Sequence, residues 1–85
     1  MFSLQNKKAV VTGGGSGIGK AISVLFAKQG AEVHIVELTQ ESAQDAVAEI
    51  KALGGKVIAH ACNVADHEQV AATFEKIGAL NILVN

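Results

Sequence analysis

The stretch Thr12-Gly13-Gly14-Gly15-Ser16-Gly17-Ile18-Gly19 decides how this chain is read. Before it runs Ala9-Val10-Val11, a short apolar run rich in β-branched side chains, which predicts a buried strand. After it, from about Ser16 to Gln29, the residues Ile18, Ala21, Ile22, Leu25 and Phe26 recur at helical spacing, and Gly30 is a stop signal. A glycine-rich turn between a strand and a helix lets the N–H groups of a helix N-terminus meet an anionic phosphate. Glycine there permits positive φ and leaves room where a Cβ would collide with the phosphate. Gly13 is thus expected to make the turn, Gly17 to admit a pyrophosphate, Gly19 to let the helix pack closely on the strand, and Ser16 to offer a hydroxyl. A flexible turn would not need these flanks, and a P-loop is excluded because no Gly-Lys-Ser/Thr follows the glycines.

The pattern continues outward. Val33-His34-Ile35-Val36 reads as a second strand, ended by Glu37. Dinucleotide-binding folds place a carboxylate there, roughly 20 residues beyond the glycines. Between Gln40 and Leu53, the residues Ala43, Ala46, Val47, Ile50 and Leu53 form one helical stripe, closed by Gly54-Gly55. Lys56 to Ala61 holds a third strand, and Asp66 is an N-cap for a third helix running to Ile77, with Val70, Phe74 and Ile77 on its inner face. Gly78 closes that helix, and Leu80 to Val84 reads as a fourth strand. The order β-α-β-α-β-α-β predicts an α/β fold with a Rossmann-type parallel sheet. Its strand order would be 3-2-1-4, the N-terminal portion of a doubly wound three-layer architecture.

Composition narrows the partners. The chain has 85 residues, 49% of them hydrophobic, and a formal net charge of -1. That is one small domain's worth of chain with no basic cluster, so neither nucleic acid nor an anionic membrane is an expected partner. No apolar run approaches the ~18 residues of a membrane span, and Lys7 and Lys8 interrupt any signal-peptide core. The single cysteine, Cys62, forbids an internal disulfide and fits a reducing compartment, so a cytoplasmic location is expected. His34, in mid-strand, reads as a packed residue, and His67 as a solvated first-turn residue. His60 and Cys62 share a strand face with too few neighbours for a metal site, so no metal is expected. Glu41, Asp45 and Glu49 recur every four residues as a solvated helix face.

The glycine spacing is Thr-Gly-x-x-x-Gly-x-Gly, which resembles that of the short-chain dehydrogenase/reductase family. Three further features fall in the family's order: Glu37 after strand two, Asn63-Val64 after strand three, and Asn81-Ile82-Leu83-Val84-Asn85. The 3-oxoacyl-(acyl carrier protein) reductases and related secondary-alcohol dehydrogenases are similar. The resemblance implies that Gly13, Ser16, Gly17, Ile18 and Gly19 hold the pyrophosphate and adjoining ribose of NAD. It implies that Glu37 accepts from the adenosine ribose hydroxyls, that Leu38, Asn63 and Val64 surround the adenine, and that Asn85 lies over the cofactor near the ribose. Two positions depart from the family pattern: Asn63 and Asn81 stand where aspartate is usual. A neutral amide can still donate and accept at the adenine edge; Asn81 is given no function.

The family's catalysis implies a tyrosine acid with a nearby lysine and serine. The chain contains no tyrosine, so no catalytic residue is assigned. Residues 1–85 are accordingly expected to form an incomplete cofactor-binding segment of an NAD(H)-dependent oxidoreductase acting on a small carbonyl or alcohol. Such a segment would be inactive alone, and either aggregation-prone or stable only as a homo-oligomer or beside a complementing chain. The alternatives are a stand-alone nucleotide-binding or regulatory module without catalysis, and a structural fragment that binds nothing.

Overall fold

A computed structural model describes residues 3–85. The elements are β1 (Lys8–Thr12), α1 (Gly17–Lys28), β2 (Glu32–Glu37), a 3-10 turn (Glu41–Ala43) running into α2 (Gln44–Ala52), β3 (Lys56–Ala61), α3 (His67–Ile77) and β4 (Ile82–Val84). All four strands are parallel, in the order β3-β2-β1-β4. This is the predicted Rossmann-type topology.

The alternation along each strand divides the core into two layers. Ala9, Val11, Val33 and Ile35 face α1 and α2, where Val24, Ala27, Ala43, Ala46 and Ile50 meet them. Val10 and Val36 face α3 and pack with Cys62 and Ile77, flanked by Val70, Phe74 and Leu80. Because helices cover both faces, β1 reads as continuous apolar sequence rather than an alternating one.

Three sequence expectations need correction. In α1 the buried residues are Ser23, Val24 and Ala27, with Ile22 and Phe26 half-buried, whereas Ile18, Ala21 and Leu25 are exposed. This helix is apolar around much of its circumference, so two stripes overlap, and packing against α2 and the sheet selects the one with smaller side chains. In α2, Leu53 lies past the end of the helix and is exposed. The fourth strand is shorter than Leu80–Val84. Asn81 precedes it and pairs with β1 through its side chain: the Lys8 N–H donates to Asn81 Oδ1 (2.8 Å), and the Asn81 N–H donates to the Lys8 carbonyl (2.9 Å). The amide thus replaces one rung of the ladder. Asp66 caps α3 as expected, accepting from the Glu68 and Gln69 N–H groups at 3.0 and 3.3 Å.

On the α3 side of the sheet, β2 and β3 are joined by a polar chain. His34 Nε2 lies 2.6 Å from Glu32 Oε2, and His34 Nδ1 lies 2.8 Å from His60 Nε2. The two rings stack at 5.1 Å, and both histidines are buried. With both rings neutral, His60 donates to His34, which donates to the carboxylate. With both rings protonated, two N–H groups would oppose one another. Burial, the His34 ring and Lys76 lower the His60 pKa below its ordinary 6.5. The hydrogen bond from His34 is the main cause holding Glu32 below its ordinary 4.5, opposed by burial and aided by the charges of His34, Lys8 and Lys56.

Both shifts carry the same sign. Below about pH 6.5 the unfolded chain binds a proton that the folded His60 resists, and below about pH 4.5 the same holds for Glu32. Stability should therefore fall on acidification from neutral pH. Denaturant melts between pH 7.5 and 5 should show this fall. His60→Phe should be less stable at pH 7.5, because His34 Nδ1 loses its partner, and should show a shallower pH dependence. An equal slope in the two proteins would rule out the histidine pair as its source.

Candidate functional site

The carboxyl ends of the strands, where open α/β sheets bind ligands, converge on a cleft of about 400 Å³. Its walls come from four connections: Thr12 and Gly13 after β1, Val36 to Leu38 at the end of β2, Cys62 to Val64 after β3, and Asn85 after β4. Six of the predicted residues, Gly13, Glu37, Leu38, Asn63, Val64 and Asn85, are brought together there. Ser16, Gly17, Ile18 and Gly19 do not line this cleft; they form the end of the loop and the first turn of α1 beside it. That first turn presents N–H groups that lack intrahelical acceptors.

The three pattern glycines meet two kinds of demand. Gly13 (φ +69°) and Gly17 (φ +54°) lie in the left-handed region, and a Cβ on either would enter open space. Their requirement is conformational. Gly19 is different: a Cβ there would fall on the Gly13 carbonyl oxygen. The sequence had suggested a close approach of the helix to the strand; the close approach is instead to the loop's first peptide. Ser16 occupies the N-cap position in extended conformation, and its side chain makes no capping bond.

Ser23 is a loop anchor that the sequence reading missed. Fully buried, its hydroxyl donates to the Gly19 carbonyl at 2.9 Å, with the Gly14 carbonyl at 3.2 Å. A serine within an otherwise apolar helix face was the available signal.

Glu37 bridges the loop and the cleft. Its Oε2 accepts from the Gly15 N–H at 2.8 Å, while the Glu37 carbonyl accepts from the Cys62 N–H at 2.7 Å. Across the cleft, the Thr12 hydroxyl donates to Asn85 Oδ1 at 2.9 Å, holding the end of β4 against β1. The Asn63 amide oxygen turns back to accept from the Ala65 N–H at 3.0 Å, and the Asn63 N–H donates to Gln69 Oε1 at 2.9 Å. Of the Asn63 side chain, the Nδ2 donor group remains for a ligand. Leu38 and Val64, each 66% exposed, flank the mouth, and Ile18 is 82% exposed at the start of α1. Large exposed apolar side chains around a cleft mark a binding surface.

The arrangement suits binding: free N–H groups for an anion, one carboxylate as acceptor, and apolar walls for a flat ring. Among the described residues no group of three His, Cys, Asp or Glu side chains could hold a metal. No helix among them is long and apolar enough to cross a membrane.

Gly19→Ala should destabilise the protein by about 1–3 kcal/mol, because the loop or the helix must shift to accept the new methyl group. Urea denaturation would show this as a lower midpoint at unchanged slope. An unchanged midpoint would mean that loop and helix do not approach this closely.

Comparison with known proteins is consistent with this geometry. The family model for short chain dehydrogenases matches residues 7–85. Cyclohexanol dehydrogenase of Acinetobacter sp. (strain SE19) is 44% identical over 84 residues, covering 94% of this chain and 34% of that protein. The solved structure of a 7α-hydroxysteroid dehydrogenase complexed with NADH and 7-oxoglycochenodeoxycholic acid superposes with a TM-score of 0.87 at 37% identity, covering 98% of this chain and 34% of that one. A metagenomic short-chain oxidoreductase in complex with NADP gives a TM-score of 0.91 at 32% identity, with coverages of 94% and 38%. The chain spans about a third of the length of these proteins.

Proposed function

The chain belongs to the short-chain dehydrogenase family, and on that premise we propose that it forms the dinucleotide-binding portion of an NAD(H)-dependent oxidoreductase interconverting a secondary alcohol and a ketone. The observation that carries this reading is the Glu37 carboxylate, fixed to the loop by the Gly15 N–H and set in a cleft at the carboxyl edge of the sheet.

The residues fit the parts of such a cofactor. The N–H groups around Ser16, Gly17, Ile18 and Gly19, with the turn at Gly13, would hold the pyrophosphate and adjoining ribose. Glu37 would accept from the ribose hydroxyls, Leu38 and Val64 would cover the adenine, and Asn63 would donate to its edge. Asn85 would lie over the cofactor near the ribose. The nicotinamide would supply or accept a hydride. No tyrosine is present in the sequence to serve as the acid that the family resemblance implies, so this chain's own role is to bind and orient.

Relatives bind both cofactors, one solved with NADH and another with NADP; the choice here turns on position 37. A carboxylate about 4 Å from a 2′-phosphate is repelled by about 4 kcal/mol per unit charge at an effective dielectric constant near 20. All seven basic residues are lysines, so no guanidinium is available to clamp that phosphate, and position 38 is leucine. NAD(H) is the preferred reading. The secondary-alcohol substrate class is supported by the cyclohexanol and hydroxysteroid enzymes among the relatives. Leu83, half-exposed beside the open edge of β4, supports a complementing segment or a second copy covering that side. The single buried thiol, Cys62, suits a cytoplasmic location.

Calorimetric titration of the protein should show NADH binding at least tenfold tighter than NADPH. Glu37→Ser combined with Leu38→Arg should reverse the preference. Equal or tighter NADPH binding by the unaltered protein would refute the choice of cofactor. Gly17→Val should remove most affinity for either dinucleotide, since it fills the open space at the loop and strains a left-handed residue. Binding like that of the unaltered protein would refute the loop assignment.

A further inference from the structure

Gly15 belongs to none of the three glycine positions that the loop pattern requires, and its φ does not lie in the left-handed region. Its backbone conformation is therefore open to other residues, but the space around it is not. A Cβ on Gly15 would fall on the Ser42 carbonyl oxygen, 2.9 Å from Ala43 Cα and 2.8 Å from Glu37 Oε2.

The first two of these neighbours are backbone atoms held in place. Thr39 Oγ1 accepts from the Ser42 N–H at 3.1 Å and lies 2.8 Å from the Ser42 hydroxyl. The Ala43 N–H donates to the Gln40 carbonyl at 3.1 Å, and Ala43 is fully buried in the core. The turn entering α2 thus forms a fixed wall. The loop can seat against it only because Gly15 has no side chain, and that seating aims the Gly15 N–H at Glu37 Oε2, 2.8 Å away.

Resting on the dinucleotide reading above, we propose that Gly15 is the positioning residue for Glu37: its bare Cα lets the loop lie on the Thr39–Ala43 turn, and its N–H ties down one carboxylate oxygen and leaves the other to meet the adenosine ribose. A glutamate has three side-chain torsions. Released from Gly15, it can swing towards solvent, where it neither holds a ribose hydroxyl nor repels a 2′-phosphate. Gly15 thereby sets the discrimination between NAD(H) and NADP(H).

The test measures the ratio of NADPH to NADH dissociation constants in the protein and its variants. Gly15→Ala should weaken NADH about tenfold and leave NADPH unchanged or tighter, so that the ratio falls at least tenfold. Damage to the loop alone would weaken both dinucleotides equally, because both carry the same pyrophosphate, and an unchanged ratio overturns the proposal. Glu37→Ala should lower the ratio as much as Gly15→Ala does. The double variant should lower it no further, within about twofold, and an additional fall would show that Gly15 acts by another route.

If Gly15→Ala does not fold, the unaltered protein still supplies a test. The Gly15 amide proton should be protected from exchange with solvent, and Glu37→Ala should remove that protection. An amide that exchanges equally fast in the two proteins overturns the proposal. If the unaltered protein binds neither dinucleotide, the proposed function itself fails, a result distinct from all of these.

Discussion

The first turn of α1 lies so close to the end of β1 that no side chain fits between Gly19 and the Gly13 carbonyl. That approach sets where the helix starts, and hence where its unpaired N–H groups stand relative to the sheet. From there Ser23 fastens the helix back onto the Gly14 and Gly19 carbonyls, and the Gly13 N–H extends the ladder to Val36 at 2.8 Å. The loop is thus anchored on both sides, to β2 by its first residue and to α1 through Ser23. A looser turn would carry the helix end away from Glu37 and dissolve the cleft.

Much of this is legible in the residues alone, because strand and helix periods differ and the glycines fall where one period gives way to the other. The strand order follows from handed crossovers between parallel strands, and the cap at Asp66 from its own chemistry. The inner face of α1 was not legible: its apolar residues describe two overlapping stripes, and only contact with α2 and the sheet chooses between them. The chain Glu32–His34–His60 was hidden for a related reason. Its members come from two strands, and the register that sets His34 two residues from the position opposite His60, on the same face, is a property of the folded sheet. The cleft residues announced themselves by position after each strand, whereas Gly15 did not, because its constraint comes from the Thr39–Ala43 turn elsewhere in the sequence.

The two faces of the sheet are built by different means. Towards α1 and α2 the buried apolar cluster is aliphatic, with Phe26 packed at its margin and the buried Ser23 hydroxyl bonded to the glycine loop. Towards α3 the core combines valines, a cysteine and an isoleucine with a hydrogen-bonded pair of imidazoles. Every buried polar side-chain atom among the described residues has a partner, so the polar chain is satisfied rather than tolerated. A satisfied pair of this kind couples neighbouring strands directionally, which aliphatic contacts do not.

The pairing of β1 with β4 places the chain's first strand beside its last, and the bonds that join them span 73 residues. At a synthesis rate of roughly 5–20 residues per second, one side of β1 stays open for several seconds after β2 has closed the other. An open strand edge is a template for association with other chains. The side chains at the two ends of β1 meet that hazard differently. Lys8 brings a charge to the waiting edge, which discourages adventitious strands, and its backbone N–H is later claimed by Asn81. Thr12 holds a hydroxyl ready for Asn85. A late-arriving strand of three residues has little intrinsic grip, and these two side-chain bonds, one at each end, fix its register when it docks.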